Sequence, residues 1–172
     1  KAFPFQQEVA TAFLSGRNGL LNAPTGSGKT YALFIPVLLK WIREYPDYQT
    51  KNNNGLVAIW ITPVRALAKD LQMAMQQACN ELEVPWQVSL RTGDTSSKER
   101  AQQRKRLPEV LITTPESLHL LLAQKGYAQL LKNLETVVVD EWHELLGTKR
   151  GVQVELALSR LRAIQGDALK VW

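Results

Sequence analysis

The octapeptide Ala23-Pro24-Thr25-Gly26-Ser27-Gly28-Lys29-Thr30 restricts the fold more than any other part of this chain. It follows a short apolar run, Leu20 to Ala23, that reads as a strand, and it opens an apolar-periodic segment, Lys29 to about Tyr45, that reads as a helix. A glycine-rich turn between a strand and a helix, ending in Gly-Lys-Thr, is the context of a phosphate-binding loop. Ala23 stands where that motif carries its first glycine, and the remaining spacing is intact. Gly26 and Gly28 let the backbone wrap closely around phosphates, while successive amide N–H groups after Pro24, as far as Thr30, and the helix N-terminus supply positive potential. Lys29 is expected to reach the outer phosphates of a nucleoside triphosphate, and the Thr30 hydroxyl to ligate magnesium. A loop of this kind serves kinases, GTPases and motors alike, so it needs a second element.

The rest of the chain repeats the strand-then-helix pattern. Strands are expected at Leu56 to Thr62, Val88 to Thr92, Val110 to Thr114 and Thr136 to Asp140, with a further one beginning near Leu169. Helices are expected at Val64 to Leu82, Ser97 to Arg106, Glu116 to Gln124 and Val152 to Ile164. Such alternation predicts an α/β fold, a parallel sheet with helices on both faces. The Leu56 and Thr136 strands are almost continuously apolar and then end in a polar residue. In open parallel sheets ligands bind beyond the carboxyl ends of the strands, so those polar residues should face a site.

The second element is Asp140-Glu141-Trp142-His143, at the tip of Val137-Val138-Val139. Asp140 is the natural magnesium ligand, and Glu141 the group that positions or deprotonates an attacking water. His143, directly after this pair, reads as a sensor of the nucleotide. His119, on a leucine-rich helical stretch, and Trp142 read as structural.

A length of 172 residues fits one domain, and 45% hydrophobic residues suffice for a core. The formal charge of +5 favours an anionic partner without specifying it. A single cysteine, Cys79, excludes an internal disulfide and suits a reducing cytoplasm of bacterial type. No apolar run approaches the roughly 20 residues of a membrane span, which argues against a membrane partner.

With the glycine-rich loop and the acidic motif in hand, the sequence resembles the DExH branch of superfamily-two helicases along essentially its whole length. Asp140-Glu141-Trp142-His143-Glu144-Leu145-Leu146-Gly147 followed by Lys149-Arg150-Gly151 is most similar to the large helicase-related family, including its ligase-associated members. The resemblance implies a RecA-like first lobe that uses ATP and magnesium. It also implies that Gln6 reads the adenine edge, with Gln7 as the competing choice. Thr62-Pro63-Val64-Arg65-Ala66-Leu67 resembles the family's motif Ia, which grips the nucleic-acid backbone, with Thr62, Pro63, Arg65 and Ala66 as the contacts. Thr92-Gly93-Asp94 and Thr113-Thr114-Pro115-Glu116-Ser117 resemble further backbone-contacting elements; Thr114-Pro115 also reads as a helix N-cap with proline in the first turn. Arg150-Gly151 matches the family pattern with no evident role.

The resemblance further implies single-stranded DNA as partner, with RNA as an alternative, 3′ to 5′ translocation and a link to DNA repair. It implies a continuation beyond Trp172 into a Ser-Ala-Thr motif and a second RecA-like lobe bearing arginine fingers, so the chain reads as a truncated first lobe that hydrolyses ATP poorly alone. A duplex translocase that does not unwind shares these motifs. A small-molecule kinase has the loop but no use for Thr-Pro-Val-Arg, and a pure nucleic-acid-binding module has no use for the loop.

Overall fold

The computed structural model describes residues 2–24 and 26–172. Thr25, expected among the phosphate-binding residues, lies outside the described residues.

The elements in chain order are α1 (Pro4–Leu14), α2 (Lys29–Glu44), β1 (Ala58–Ile61), α3 (Arg65–Glu81), β2 (Val88–Arg91), α4 (Ser97–Lys105), β3 (Val110–Thr113), α5 (Pro115–Leu122), α6 (Tyr127–Leu130), β4 (Thr136–Val139), α7 (Lys149–Gln165) and β5 (Lys170–Val171). Single 3-10 turns at Trp142–Glu144 and Gly166–Ala168 flank α7. Among the described residues the strands form one sheet in the order β2-β3-β1-β4-β5, with every pairing parallel.

Strand alternation divides the interior into two cores. Ala58 and Trp60 of β1 point to one face, where they meet Phe13 of α1, Phe34 and Leu38 of α2, and Met75 of α3. Ile59 and Ile61 point to the other, against Leu118 and Leu121 of α5 and Val154 and Leu161 of α7. Both faces of the central strands are therefore dry, which explains why they read as continuous apolar runs. Cys79 is buried in the first core, and burial pushes its thiol up to about 12. It is packing.

The outer edge of β2 would expose an unpaired row of amides and carbonyls. Glutamine side chains cover it instead. Gln76 accepts from the Val88 N–H at 2.9 Å, Gln72 donates to the Val88 carbonyl at 2.8 Å, and Gln103 of α4 donates to the Leu90 carbonyl at 2.9 Å. A capping box of Ser96 and Glu99 starts α4.

One expected strand is absent. Among the described residues, Leu20 to Ala23 form no ladder: the chain meets β5 just before them, where the Gly19 N–H donates to the Val171 carbonyl and the Asn18 side-chain oxygen accepts from the Val171 N–H, and Leu20 is 80% exposed. The neighbour β5 is two residues long and gives the segment nothing further to pair with. The helix α1 was not anticipated, although proline in its first turn and a Gln6 side chain bonded back to the Phe3 N–H are recognisable starting signals.

The start of α7 is tightly packed. The Leu145 carbonyl accepts the Thr148 hydroxyl at 2.8 Å, Thr148 caps the Gly151 N–H at 3.1 Å, and a Cβ on Gly151 would sit 2.2 Å from the Leu145 oxygen. Gly151→Ala should therefore lower unfolding stability by about 1–3 kcal/mol through steric overlap with backbone, despite the helix propensity of alanine. Urea denaturation of the two proteins measures this directly.

Candidate nucleotide and nucleic-acid site

The register of the sheet brings four strand ends level: Ile61 is opposite both Thr113 and Val139, and Arg91 is opposite Thr113. The next residue of each chain segment then forms a row across the sheet edge in the order Thr92, Thr114, Thr62, Asp140. Backbone bonds extend this row beyond the strands, from Thr62 N–H to the Thr113 carbonyl at 2.9 Å and from Asp140 N–H to the Ile61 carbonyl at 2.8 Å. The row has an acidic end and a threonine end.

At the acidic end lies a cleft of about 520 Å³ lined by Pro24, Lys29, Thr30, Asp140, Glu141 and His143, with Leu20, Trp142 and Trp172 among its apolar walls. Gly26 and Gly28 take φ values of +77° and +86°, a left-handed backbone that only glycine adopts without strain. A side chain at Gly28 would also strike Gln6, whose Cβ-to-Nε2 separation would be 2.7 Å. Gln6 leans on the loop from α1 and donates to the Gly28 carbonyl at 3.3 Å, whereas Gln7 is exposed. The Lys29 ammonium donates to the Ala23 carbonyl at 2.9 Å and stands 3.8 Å from Glu141 Oε1. The Ser27 hydroxyl is buried with no hydrogen-bond partner among the described residues, an unmet polar group inside the loop.

Burial first, and then the adjacent Glu141 carboxylate, push the Asp140 carboxyl above the ordinary aspartate range, against the pull of Lys29. Glu141 adopts φ +48° and ψ +46°, left-handed for a residue that is not glycine, at a cost of about 1–3 kcal/mol. That turn directs its carboxylate back over the loop toward Lys29. His143 is exposed and stands 3.5 Å from Glu141 and 3.4 Å from Glu144.

The threonine end is a rigid frame carrying a few accessible groups. Thr62, Thr92, Thr113 and Thr114 are buried, as are Pro63 and Pro115, while Arg65, Ala66 and Gly93 are exposed. The Thr113 hydroxyl is committed to the Arg91 carbonyl at 2.8 Å and reaches no solvent, so its part is to hold the strand end. Thr62 accepts from the Val64 N–H at 3.3 Å and Thr114 from the Ser117 N–H at 3.4 Å, each leading the chain into a helix start. Arg65 lies against Gly93, 3.9 Å from the Asp94 carboxylate.

Two arginines here had no legible role in the sequence. Arg100 donates to the Thr92 and Gly93 carbonyls at 3.0 and 3.1 Å and fixes that loop under Arg65. In the sequence it is one more charge on the polar helix α4. Arg150 donates through Nε to Glu116 Oε1 at 2.5 Å, so the Glu116 carboxylate, expected against nucleic acid, is engaged within the protein. His119 is exposed on α5 and outside the site.

The loop, acidic strand end and threonine row together define a RecA-like helicase lobe, and the chain belongs to the DEAD/DEAH box helicase family, which it matches over residues 3–170. Its relatives within that family include Lhr helicases. It is 34% identical over 165 residues to the ATP-dependent helicase Lhr-Core of Methanothermobacter thermautotrophicus, covering 91% of this chain and 19% of that protein. It is 37% identical over 159 residues to the Lhr helicase/uracil glycosylase of Escherichia coli, covering 86% of this chain and 10% of that protein. The structure of Mycobacterium smegmatis helicase Lhr bound to ssDNA and AMP-PNP superposes with a TM-score of 0.77 at 32% identity, over 99% of this chain and 22% of that one. The chain thus spans about a fifth or less of the length of these relatives.

Burial raises the Glu116 carboxyl, but the Arg150 hydrogen bond and charge, the Glu116 backbone N–H and the Thr114 hydroxyl together outweigh it and hold the group below the usual glutamate range. A depressed folded-state value adds stability that is complete above the unfolded value and fades as pH falls through the folded one. Glu116→Gln should therefore lower stability at neutral pH by no more than about 1 kcal/mol for so exposed a pair, read as a lower melting temperature. The difference from wild type should vanish in acid below the glutamate range, as a series of thermal melts across pH would record.

Proposed function

We propose that this lobe binds ATP and magnesium in the cleft, against a second RecA-like lobe, and drives the protein along a single strand of nucleic acid. The observation that carries this reading is the convergence of Lys29 and Glu141, 3.8 Å apart, beside Asp140. A cation of the loop and a carboxylate that follows a distant strand meet in one cleft. The unpartnered Ser27 hydroxyl and the left-handed glycines suit phosphate oxygens. Two crowded, poorly solvated carboxyls suit a divalent cation, which Thr30 and Asp140 would hold and which neutralises phosphate charge when bound.

The roles of the chain's own residues follow from their positions. Lys29 offsets charge on the outer phosphates, and the amides at the start of α2 hold them in place. Glu141, aimed by its left-handed backbone, orients the attacking water and accepts its proton at a carboxylate oxygen. Gln6 recognises the base, and His143, within reach of Glu141, senses the nucleotide. The backbone of the strand is gripped by Arg65, Ala66 and Gly93, on the frame that the buried threonines, Pro63 and Pro115 provide, together with the amides at the starts of α3 and α5.

Phosphate and sugar contacts make binding largely independent of sequence and steeply dependent on salt. DNA is the favoured strand, because the Mycobacterium smegmatis relative was captured on ssDNA. Movement runs 3′ to 5′, and DNA repair is the setting. RNA unwinding and duplex translocation are the alternatives that strand-displacement assays on each substrate separate.

Lys29→Ala and Glu141→Gln in the full-length protein should each abolish ATP turnover while sparing single-strand binding; turnover at the wild-type rate in either variant refutes the assignment. Arg65→Ala should weaken binding to oligothymidine and flatten the plot of log affinity against log salt by about one unit. An unchanged slope in fluorescence titrations would remove Arg65 from the interface.

A further inference from the structure

The Lys149-Arg150-Gly151 stretch has no part in either half of the site, yet its geometry ties the halves together. Arg150 is in the first turn of α7 and Glu116 in the first turn of α5. The guanidinium grips both carboxylate oxygens, at 2.5 Å from Nε and 3.4 Å from a terminal nitrogen. An arginine at a helix N-terminus opposes the helix dipole, so Arg150 is poorly placed unless a carboxylate faces it. A glutamate in the first turn of α5 is favoured by the same field.

Each partner is anchored to one half. Glu116 follows Thr114, the N-cap that continues β3 into the threonine row. Arg150 is held by the Thr148 cap and by the Gly151 contact with the Leu145 carbonyl, and Leu145 closes the 3-10 turn that leaves Glu141. From Glu116 to Glu141 the path is therefore one ion pair and one tightly packed turn. The α5 and α7 helices also share a buried face through Leu118, Leu121, Val154 and Leu161. The ion pair joins their N-terminal ends at the functional edge of the sheet through a specific, oriented contact.

We infer that Glu116 and Arg150 act as a positioning pair that transmits strand engagement at the Thr114 end of the site to the Asp140-Glu141 segment, so that nucleic acid accelerates ATP hydrolysis. This rests on the function proposed above. The pair touches neither ligand. With the pair broken, both sites remain formed, but a strand held against the start of α5 no longer biases the turn that orients Glu141.

The test compares Glu116→Gln, Arg150→Gln and the exchanged double variant, Glu116→Arg with Arg150→Glu, in the full-length protein. The readout is the ratio of ATP turnover at saturating oligothymidine to turnover without it, so that weaker strand binding cannot imitate the effect. Each single variant should lower that ratio by roughly 2- to 30-fold, and the exchange should restore much of it. An undiminished ratio in both single variants overturns the coupling, as does an exchanged variant that folds and is no better than the singles. If the singles fail to fold, a folded exchanged variant with wild-type stimulation supports the pair, and failure of all three assigns it to folding alone. A wild-type protein that oligothymidine does not stimulate defeats the functional reading itself, which separates the two failures.

Discussion

The parallel register of the central strands is the constraint on which this molecule depends. Because β2, β3, β1 and β4 stop at the same level, the residues that follow them emerge side by side, and positions 92, 114, 62 and 140 become neighbours despite their separation in the chain. Slipping one strand would break the row and expose core side chains, so the two dry cores that fix the register also fix the site. Ile59 and Ile61 on one face and Ala58 and Trp60 on the other hold β1 in place, and Thr62 inherits its position from them.

Within that frame, the nucleotide end and the strand-binding end are built differently. Groups at the nucleotide end are incompletely satisfied: Ser27 has no partner, the Asp140 carboxyl is raised by burial, and Lys29 is shared between a carbonyl and a carboxylate. Such a cleft gains favourable contacts when an anion and a cation enter. At the other end most hydroxyls are already bonded within the protein, and only a few groups, Arg65 foremost, stand clear. Shape and backbone orientation carry that half, as suits a partner recognised through its repeating phosphates.

Much of this was legible in the sequence because period and spacing survive without coordinates. The strands at β1, β3 and β4 are continuous apolar runs, the glycine-rich loop ends in Gly-Lys-Thr, and Asp-Glu caps a valine strand. The failures have a physical pattern. Leu20 to Ala23 is as apolar as a strand, yet a strand exists only where a neighbour offers hydrogen bonds, and β5 offers few. Arg100 and Arg150 look like ordinary surface charges, since a sequence does not reveal which carbonyl or carboxylate a long side chain will meet. Burial of the Thr113 hydroxyl was equally invisible, because threonine at a strand end is as suited to bonding a neighbouring carbonyl as to facing a ligand.

Glu141 holds a backbone conformation that glycine would occupy at ease, and it does so beside a partly buried acid and a lysine. Local relaxation and the role in activating water proposed for it therefore pull in opposite directions at one residue. A screen rewarding thermal robustness alone would drift toward glycine at position 141, enriching sturdier molecules that clasp a nucleotide and leave it uncleaved.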